Sequence, residues 1–323
     1  MKAIRFHQIG APEVLRWEDV KEPVLRTGEA LVKVHVAGVN FADTLLRRGS
    51  YLTQPHLPEI PGFEASGFVE KVAGSEYDDL IGKRVAVLGA YCYAEYVKAP
   101  ANELMLLPDA MSFEDGAAFP VQALTAYHML FTADQVGPGQ SVLVHAAAGG
   151  VGLLAIQMAK HAGARVFGTV STEEKAALAK QMGADEVVIY TKTDFAEEVL
   201  RATGGRGVDL VLDSVGRSTF AGSMLALAPF GHLISFGAAS GPADPLRIGP
   251  LFEKSLKLST FWLKTLSRTP EIAAKGVRQV LEWVASGKLR LQVGLKLPIT
   301  QAAEAHRKME ARETVGKILL TVK

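Results

Sequence analysis

The stretch that decides the fold is Ser141–Lys160, SVLVHAAAGGVGLLAIQMAK. Residues 141–145 are predicted to form a short buried strand, and residues 149–161 a helix with apolar side chains at helical spacing. Between them, residues 147–152 read Ala-Ala-Gly-Gly-Val-Gly, which is the dinucleotide-binding pattern G-x-G-x-x-G with alanine in its first position. Because the pattern follows a strand and opens a helix, it predicts a turn that binds a pyrophosphate.

Two glycines of this turn have separate predicted tasks. Gly149 would let the backbone approach the pyrophosphate, and Gly152 would let the helix pack closely on the strand. Ala147 fits the first position if its φ is negative. The alternative is a glycine-rich packing contact that holds no ligand, since helix starts are commonly rich in glycine.

The end of the next strand indicates which dinucleotide is bound. An NAD site carries Asp or Glu there to accept hydrogen bonds from the ribose, whereas this strand ends Gly-Thr-Val-Ser at residues 168–171. A carboxylate would repel a 2′-phosphate, while Ser171, Lys175 and the phenol of Tyr190 could bind one. The missing acid favours NADPH, although Lys175 alone would also suit a solvated helix face.

Strand and helix patterns alternate through the middle of the chain. Beyond 141–145, strands are predicted at 165–170, 186–190, 208–213 and 232–236, and helices at 172–182, 194–203 and 217–228. Five strands separated by helices indicate an α/β fold with a parallel sheet and right-handed crossovers.

The flanking segments have a different pattern. Short β candidates lie at 29–36, 66–72, 83–88 and 93–99, and the C-terminal part is predicted to contain a helix at 270–286, a strand near 293–297, a helix at 301–311 and a strand at 317–322. The C-terminal part is too small to form a core alone. We therefore expect a catalytic domain of residues 1–121 and 264–323, interrupted by a coenzyme domain of residues 122–263.

Composition excludes several classes of protein. Lys plus Arg number 35 and Asp plus Glu 34, so no global field attracts nucleic acid or a membrane surface. Cys92 is the one cysteine, which excludes an internal disulfide or a four-cysteine zinc site, and the eight histidines form no close-spaced pair. These cysteine and histidine patterns predict a protein without a metal. Because the sequence shows no signal-peptide pattern and no apolar run of ~18 residues, we also expect a soluble, cytoplasmic protein.

Short motifs along the whole chain carry a family resemblance. They are VNFAD at 39–43, PGFEASG at 61–67, FP at 119–120, LTAY at 124–127, AAAGGVG at 146–152, DSVG at 213–216, SFG at 235–237 and GK at 316–317. With these motifs the sequence resembles the medium-chain dehydrogenase/reductases, and among them the zinc-free quinone oxidoreductases related to zeta-crystallin. The resemblance implies a doubly wound Rossmann domain and a discontinuous, mainly β, GroES-like catalytic domain. Phe63 stands where zinc-dependent relatives have a ligand histidine.

The resemblance also implies roles for individual residues. At the coenzyme, the matching positions are Gly149, Gly150 and Val151 for the pyrophosphate, Lys175 and Tyr190 for the 2′-phosphate, and Thr125, Phe236, Gly237 and Arg312 for other contacts. Asn40 and Tyr51 match polar residues beside the nicotinamide and could hydrogen-bond a substrate carbonyl. Alternatively, Asn40 only fixes a loop and Tyr51 only packs. Leu45 replaces a second cleft tyrosine of some relatives, which indicates a more apolar pocket.

Three functions are compatible with these residues. The resemblance favours NADPH:quinone oxidoreduction, with reduction of enones or 2-alkenals on the same scaffold as the alternative. The third is an NADPH-binding protein with a structural or RNA-binding role, which the neutral charge does not support. We also expect a homodimer through Leu256–Leu263 (LKLSTFWL), an apolar strand at the sheet edge, unless the C-terminal helices cover that strand.

Overall fold

The computed structural model describes residues 1–246 and 248–322, which form two compact units. The first unit comprises Met1–Val121 and Leu281–Lys323, and the second comprises Gln122–Val280. The expected domains, residues 1–121 with 264–323 and residues 122–263, stay a proposal; the second compact unit extends to Val280. The packing of one helix, described below, accounts for this difference.

The first unit is mainly β. Up to residue 121 its strands and helices are β1 (Lys2–Arg5), β2 (Arg16–Asp19), β3 (Glu29–Val39), α1 (Phe41–Arg47), β4 (Glu64–Val72), β5 (Arg84–Leu88), β6 (Tyr96–Pro100), β7 (Met105–Leu106) and α2 (Phe113–Ala118). β3 pairs antiparallel with β4 and with β6, and β4 pairs antiparallel with β5. The four β candidates predicted in this region are confirmed, whereas β1, β2, α1 and α2 were not predicted.

The second unit contains the parallel sheet. Its elements are α3 (Pro120–His128, which begins in the first unit), β8 (Ser141–Val144), α4 (Gly150–His161), β9 (Arg165–Val170), α5 (Glu173–Gln181), β10 (Glu186–Ile189), α6 (Phe195–Ala202), β11 (Val208–Asp213), α7 (Phe220–Ala226), β12 (Leu227–Ser235), α8 (Gly249–Phe252), β13 (Lys257–Thr260) and α9 (Pro270–Ala285). The strand order is β10-β9-β8-β11-β12-β13, and every neighbouring pair is parallel. The doubly wound sheet is confirmed, with β13 as a sixth strand.

The core of this sheet lies at its two central strands. In β8, Val142, Leu143 and Val144 are at most 1% exposed, because helices cover both faces of a parallel sheet. The chain leaves β8 toward β9 and β10 on one side, and passes from β11 toward β12 and β13 on the other. The strand order therefore reverses between β8 and β11, where open α/β sheets bind ligands at the carboxyl ends.

The helix predicted over 217–228 is shorter than expected. α7 begins only at Phe220, because the Asp213 carboxylate accepts the Gly216 N–H (3.0 Å) and holds the preceding chain in a turn. The helix ends before Pro229, since a proline disfavours helical geometry in the residue before it. β12 therefore begins earlier than the predicted strand at 232–236.

The C-terminal part returns to the first unit. Its elements are β14 (Val293–Pro298), α10 (Ala302–Glu310) and β15 (Lys317–Thr321). β15 pairs antiparallel with β3 and parallel with β14, which extends the sheet to the order β14-β15-β3-β4-β5-β7. This pairing confirms a discontinuous, mainly β domain.

α9 crosses the boundary between the two units. A Cβ on Gly276 would lie 2.3 Å from His128 Nε2, so α9 lies directly against the α3 side chains, and Val280 is fully buried. This packing joins the helix up to residue 280 to the second unit. No described helix is both long and apolar enough to cross a bilayer.

Candidate coenzyme site and active site

The glycine turn lies at the carboxyl end of β8, where the strand order reverses. Gly149 is the N-cap of α4 and has extended backbone (φ −78°, ψ 170°). A Cβ on Gly150 would lie 1.9 Å from Gln122 Oε1, and one on Gly152 would lie 2.5 Å from Ala146 O. At Gly152 the obstacle is backbone, so a side chain there would displace the chain, whereas at Gly150 the Gln122 side chain would have to move. Because the first N–H groups of a helix lack intrahelical acceptors, this bare turn can present them to an anion.

Gly168 and Ala146 allow an alanine, Ala147, to occupy the first position of the pattern. A Cβ on Gly168 in β9 would lie 2.8 Å from the Ala147 Cβ, so the glycine leaves room for that methyl group. Among the described residues, positive φ outside glycine occurs at Tyr91, Ala146, Phe230, Ser255 and Arg312. Ala147 therefore has the negative φ that the pattern requires, and the left-handed conformation falls on Ala146 (φ 49°).

The residues expected at the 2′-phosphate lie at the carboxyl ends of β9 and β10, which are adjacent parallel strands. Ser171 directly follows β9, in the position where an NAD site carries a carboxylate. Tyr190 directly follows β10, its N–H donates to Val170 O (3.0 Å), and it is 40% exposed. Lys175 is half-buried in the first turn of α5. The structure thus brings these three residues to one corner of the second unit.

A buried polar network joins the strand ends around the turn. His145 follows β8 and contacts Thr169 Oγ1 through Nδ1 (2.8 Å) and Ser223 Oγ through Nε2 (2.9 Å). Asp213, at the end of β11, accepts hydrogen bonds from Thr219 Oγ1 (2.9 Å) and Ser223 Oγ (3.3 Å). Burial lowers the pKa of His145 to about 4, so its ring is neutral at pH 7. These contacts fix β8, β9, β11 and α7 relative to one another.

The other expected coenzyme residues are distributed over both units. Thr125 is buried in α3, and Val151 is half-buried in the first turn of α4. Phe236 and Gly237 follow β12, and a Cβ on Gly237 would lie 2.7 Å from Ser214 O, so the chain runs close to the segment after β11. Arg312 belongs to the first unit, where it is exposed and follows α10.

Asn40 is buried in the first unit, and both ends of its amide have protein partners. The Nδ2 group donates to Glu64 Oε1 (2.6 Å), and Oδ1 accepts from Lys317 Nζ (3.0 Å). Its backbone N–H donates to Asp43 Oδ2 (2.7 Å), which completes the cap of α1. Asn40 therefore fixes a loop, and a substrate carbonyl would have to use the second N–H of its amide.

A buried ion pair lies beside Asn40. Glu64 and Lys317 are 0% and 1% exposed, and Lys317 Nζ donates to Glu64 Oε1 in a short contact. The second carboxylate oxygen of Glu64 accepts the Val121 N–H (2.8 Å). Because the partners satisfy each other, the pair fixes the positions of β4 and β15 around Asn40; removing one partner would leave a buried charge.

Asp43 connects the Asn40 loop to the motif that contains Phe63. Its Oδ1 accepts the Gly62 N–H (3.0 Å), and Tyr93 OH donates to its Oδ2 (3.3 Å). The Tyr93 oxygen also contacts His306 Nε2 (3.2 Å). Burial raises the pKa of Asp43 to about 7 and lowers that of His306 to about 3. A small change in pH near neutrality can therefore change the charge at the base of this loop.

Tyr51 and Phe63 pack together in the first unit. Their ring centroids are 5.5 Å apart at an angle of 42°, and both side chains are half-buried. Within residues 1–246 and 248–322, no group of three or more His, Cys, Asp and Glu side chains is arranged to hold a metal ion. The expectation of a metal-free site stays a prediction.

Comparison with known proteins decides the family. The model of the alcohol dehydrogenase GroES-like domain matches residues 26–109, and that of the zinc-binding dehydrogenases matches residues 150–285. Over 324 residues the chain is 37% identical to a quinone oxidoreductase of Pseudomonas aeruginosa, with 99% of each chain covered. The chain belongs to the quinone oxidoreductases of the medium-chain dehydrogenase/reductase superfamily.

Other members of the superfamily are similarly related. A 2-haloacrylate reductase of Burkholderia sp. is 37% identical, with 98% of this chain and 97% of the relative covered. The crystal structure of Escherichia coli quinone oxidoreductase complexed with NADPH has a TM-score of 0.94 and 37% sequence identity, with 100% of both chains covered. The fold predicted for a quinone oxidoreductase is therefore confirmed over the full chain.

Proposed function

We propose that the protein transfers hydride from NADPH to a quinone. The observation that carries the proposal is the corner at the ends of β9 and β10, where Ser171 replaces a carboxylate and Lys175 and Tyr190 lie nearby. The turn at Gly149 and Gly150 carries no side chains and begins α4, so its backbone N–H groups can bind a dinucleotide pyrophosphate. The NADPH complex of the Escherichia coli relative supports this choice of coenzyme.

The residues of the chain need little acid–base chemistry for this reaction. NADPH supplies the hydride, a quinone accepts it readily, and solvent supplies the one proton that completes the hydroquinone. The protein would mainly orient the reactants and exclude water. The Tyr51 hydroxyl, or the second amide N–H of Asn40, would hydrogen-bond the quinone oxygen as negative charge develops on it.

Two substitutions test these side chains. We expect Tyr51→Phe, Asn40→Ala or both to lower kcat or raise KM for 1,4-benzoquinone by at least about tenfold, since removal of an oxyanion donor costs that much or more. Tyr77→Phe is the control. This half-buried tyrosine, in the 3₁₀ segment Ser75–Leu80, is not among the residues proposed to contact substrate or coenzyme, so kcat and KM should not change. If both variants keep the wild-type kcat and KM, the two proposed roles are wrong.

Reduction of an activated alkene is the second candidate function. The 37% identity to a 2-haloacrylate reductase favours it, as does the apolar pocket expected from Leu45, which is half-buried on α1. Turnover of NADPH with 1,4-benzoquinone, 9,10-phenanthrenequinone, a 2-alkenal and 2-chloroacrylate separates the candidates. We expect the highest kcat/KM with a quinone. A higher kcat/KM with an alkene would make alkene reduction the favoured function. If no acceptor leads to oxidation of NADPH, a non-catalytic NADPH-binding protein would be favoured.

The homodimer expected from the sequence is also proposed here. β13 is the last strand of the parallel sheet, so one of its edges can pair with a second copy. Phe252, in the helix before β13, is 78% exposed. Phe230 is 73% exposed with positive φ, and its N–H donates to Lys254 O (2.7 Å) just before β13. Burial of both aromatic rings against a second copy would explain their exposure.

The cytoplasmic location stays a proposal. It is supported by Cys92, which is free and buried, and burial raises the pKa of its thiol well above the usual value. A thiol in that state reacts slowly and needs no oxidising compartment. The balanced charge supports small molecules as partners and gives nucleic acid no electrostatic attraction.

A further inference from the structure

An ion pair lies at the same corner as Ser171, Lys175 and Tyr190. Lys192 Nζ is 2.5 Å from Glu173 Oε1, and the two side chains are 61% and 67% exposed. The Thr191 hydroxyl donates to Ser171 O (3.0 Å), which ties the chain after β10 to the chain after β9. Lys192 is therefore held beside the residues proposed to bind the 2′-phosphate.

Without Lys192, the charges of Lys175 and Glu173 at this corner cancel each other. A phosphate monoester carries nearly two negative charges at pH 7, and Lys175 supplies one positive charge. Glu173, the first residue of α5, places a carboxylate in the same region and would repel the phosphate. Lys192 brings a second positive charge to the corner, which is paired with Glu173 in this structure and could pair with a 2′-phosphate in its place.

The ion pair between Lys192 and Glu173 can also be broken at little cost in free energy. Exposed ion pairs contribute little to stability, because water solvates both partners well. A lysine has a flexible stem and a compact charge, so Lys192 can leave Glu173 for a phosphate at little cost. We propose that Lys192 is a further determinant of coenzyme choice, whose ammonium group binds the 2′-phosphate of NADPH in exchange for Glu173. This inference rests on the proposed NADPH site.

The test compares Lys192 with a lysine in the last turn of α5. Lys192→Gln removes the charge at the corner, whereas Lys180→Gln removes an exposed charge at the opposite end of the helix. Coenzyme fluorescence titrations give Kd without turnover. At low ionic strength we expect Lys192→Gln to raise the Kd for NADPH by about fivefold or more, as for loss of an exposed charged hydrogen bond, and to leave the Kd for NADH within about twofold. Lys180→Gln should change neither.

Titrations with fragments of the coenzyme and with added salt distinguish the loss of a phosphate contact from a change in the fold. Adenosine 2′,5′-bisphosphate should lose affinity for Lys192→Gln by the same factor as NADPH, whereas 5′-AMP should not. The effect should shrink near 1 M salt, where charges are screened beyond ~3 Å. A Lys192→Gln variant that keeps the wild-type preference for NADPH, or loses both coenzymes equally, would overturn the inference.

A second variant separates direct binding from neutralisation of Glu173. In a Glu173→Gln background, Lys192→Gln should still weaken NADPH binding, because the proposed phosphate contact is lost. If the effect disappears in this background, Lys192 only neutralises Glu173 and the inference is wrong. If the wild-type protein itself binds NADPH no more tightly than NADH, the proposed coenzyme fails, and this inference fails with it.

Discussion

Ala146 takes a backbone conformation that glycine would adopt at lower cost. Its φ of 49° costs an alanine roughly 1–2 kcal/mol, whereas the larger entropy of an unfolded glycine offsets part of the gain from a substitution. We therefore expect Ala146→Gly to raise the free energy of unfolding by about 0.5 kcal/mol, measured by urea denaturation. Ala147→Gly is the control and should be destabilising. Equal losses in both variants would contradict the account of the turn.

The burial of Asp43 predicts that the stability of the first unit depends on pH. Burial raises its folded-state pKa from 3.8 to about 7, so the folded state favours the protonated carboxyl. The resulting stabilisation is complete below pH about 4 and is lost as the pH rises through about 7. Relative to Asp43→Asn, the wild-type free energy of unfolding should fall by about 2–4 kcal/mol between pH 4 and pH 8. Parallel urea-derived profiles for the two proteins would contradict this assignment.

The residues proposed to bind the coenzyme could be named from the sequence more readily than the residues that surround and support them. The turn and the missing acid could be read from residues 147–152 and Ser171 because each has a fixed place after a strand. The contacts of Asn40 with Glu64 and Lys317 could not, since these residues are 24 and 277 positions away from it. A charged Lys317 ahead of the apolar run of β15 was the one local signal of a buried partner.

At the scale of elements, the His145 network joins three strand ends. Ser223→Ala removes the partner of His145 Nε2 and one hydrogen bond to Asp213. Because both groups are buried, we expect a loss of about 1–3 kcal/mol in the free energy of unfolding and weaker binding of NADPH. Ser286→Ala, at an exposed serine, should change stability by less than about 0.5 kcal/mol. Equal effects of the two substitutions would show that the network does not stabilise the sheet.

Element boundaries were predictable where side-chain burial alone decides them. The predicted bounds of β9 and β11 agree with the structure to the residue, because both are apolar strands of a covered sheet. The bounds of α7 were wrong, since the Asp213 turn delays its start. α1 was missed because a seven-residue helix shows little periodicity, although Asn40 and Asp43 have the spacing of a capping box.

At the scale of the whole molecule, the exposed aromatic residues near β13 predict the oligomeric state. Light scattering at micromolar concentration should give twice the chain mass of 34.6 kDa for the wild type. Phe252→Asp should give the monomer mass, because a charge cannot be buried in the interface without a partner. Val24→Asp, at a side chain 83% exposed in the first unit, should remain dimeric. A monomeric wild type would contradict the proposed dimer.

The domain plan of the molecule was predictable in outline. The sequence indicated a discontinuous domain because its C-terminal helices and strand are too few to form a core, and β15 does pair with β3. The second boundary was not predictable, since it depends on the packing of Gly276 against His128, residues far apart in sequence.

The central claim is that the glycine turn and the corner beside it bind NADPH. The most direct measurement is a pair of equilibrium titrations of the wild-type protein with NADPH and with NADH, at one fixed ionic strength. We expect NADPH to bind at least about tenfold more tightly, since charge-assisted contacts to its 2′-phosphate are absent in NADH. Equal or tighter binding of NADH would contradict the choice of coenzyme, and binding of neither would contradict the proposed function.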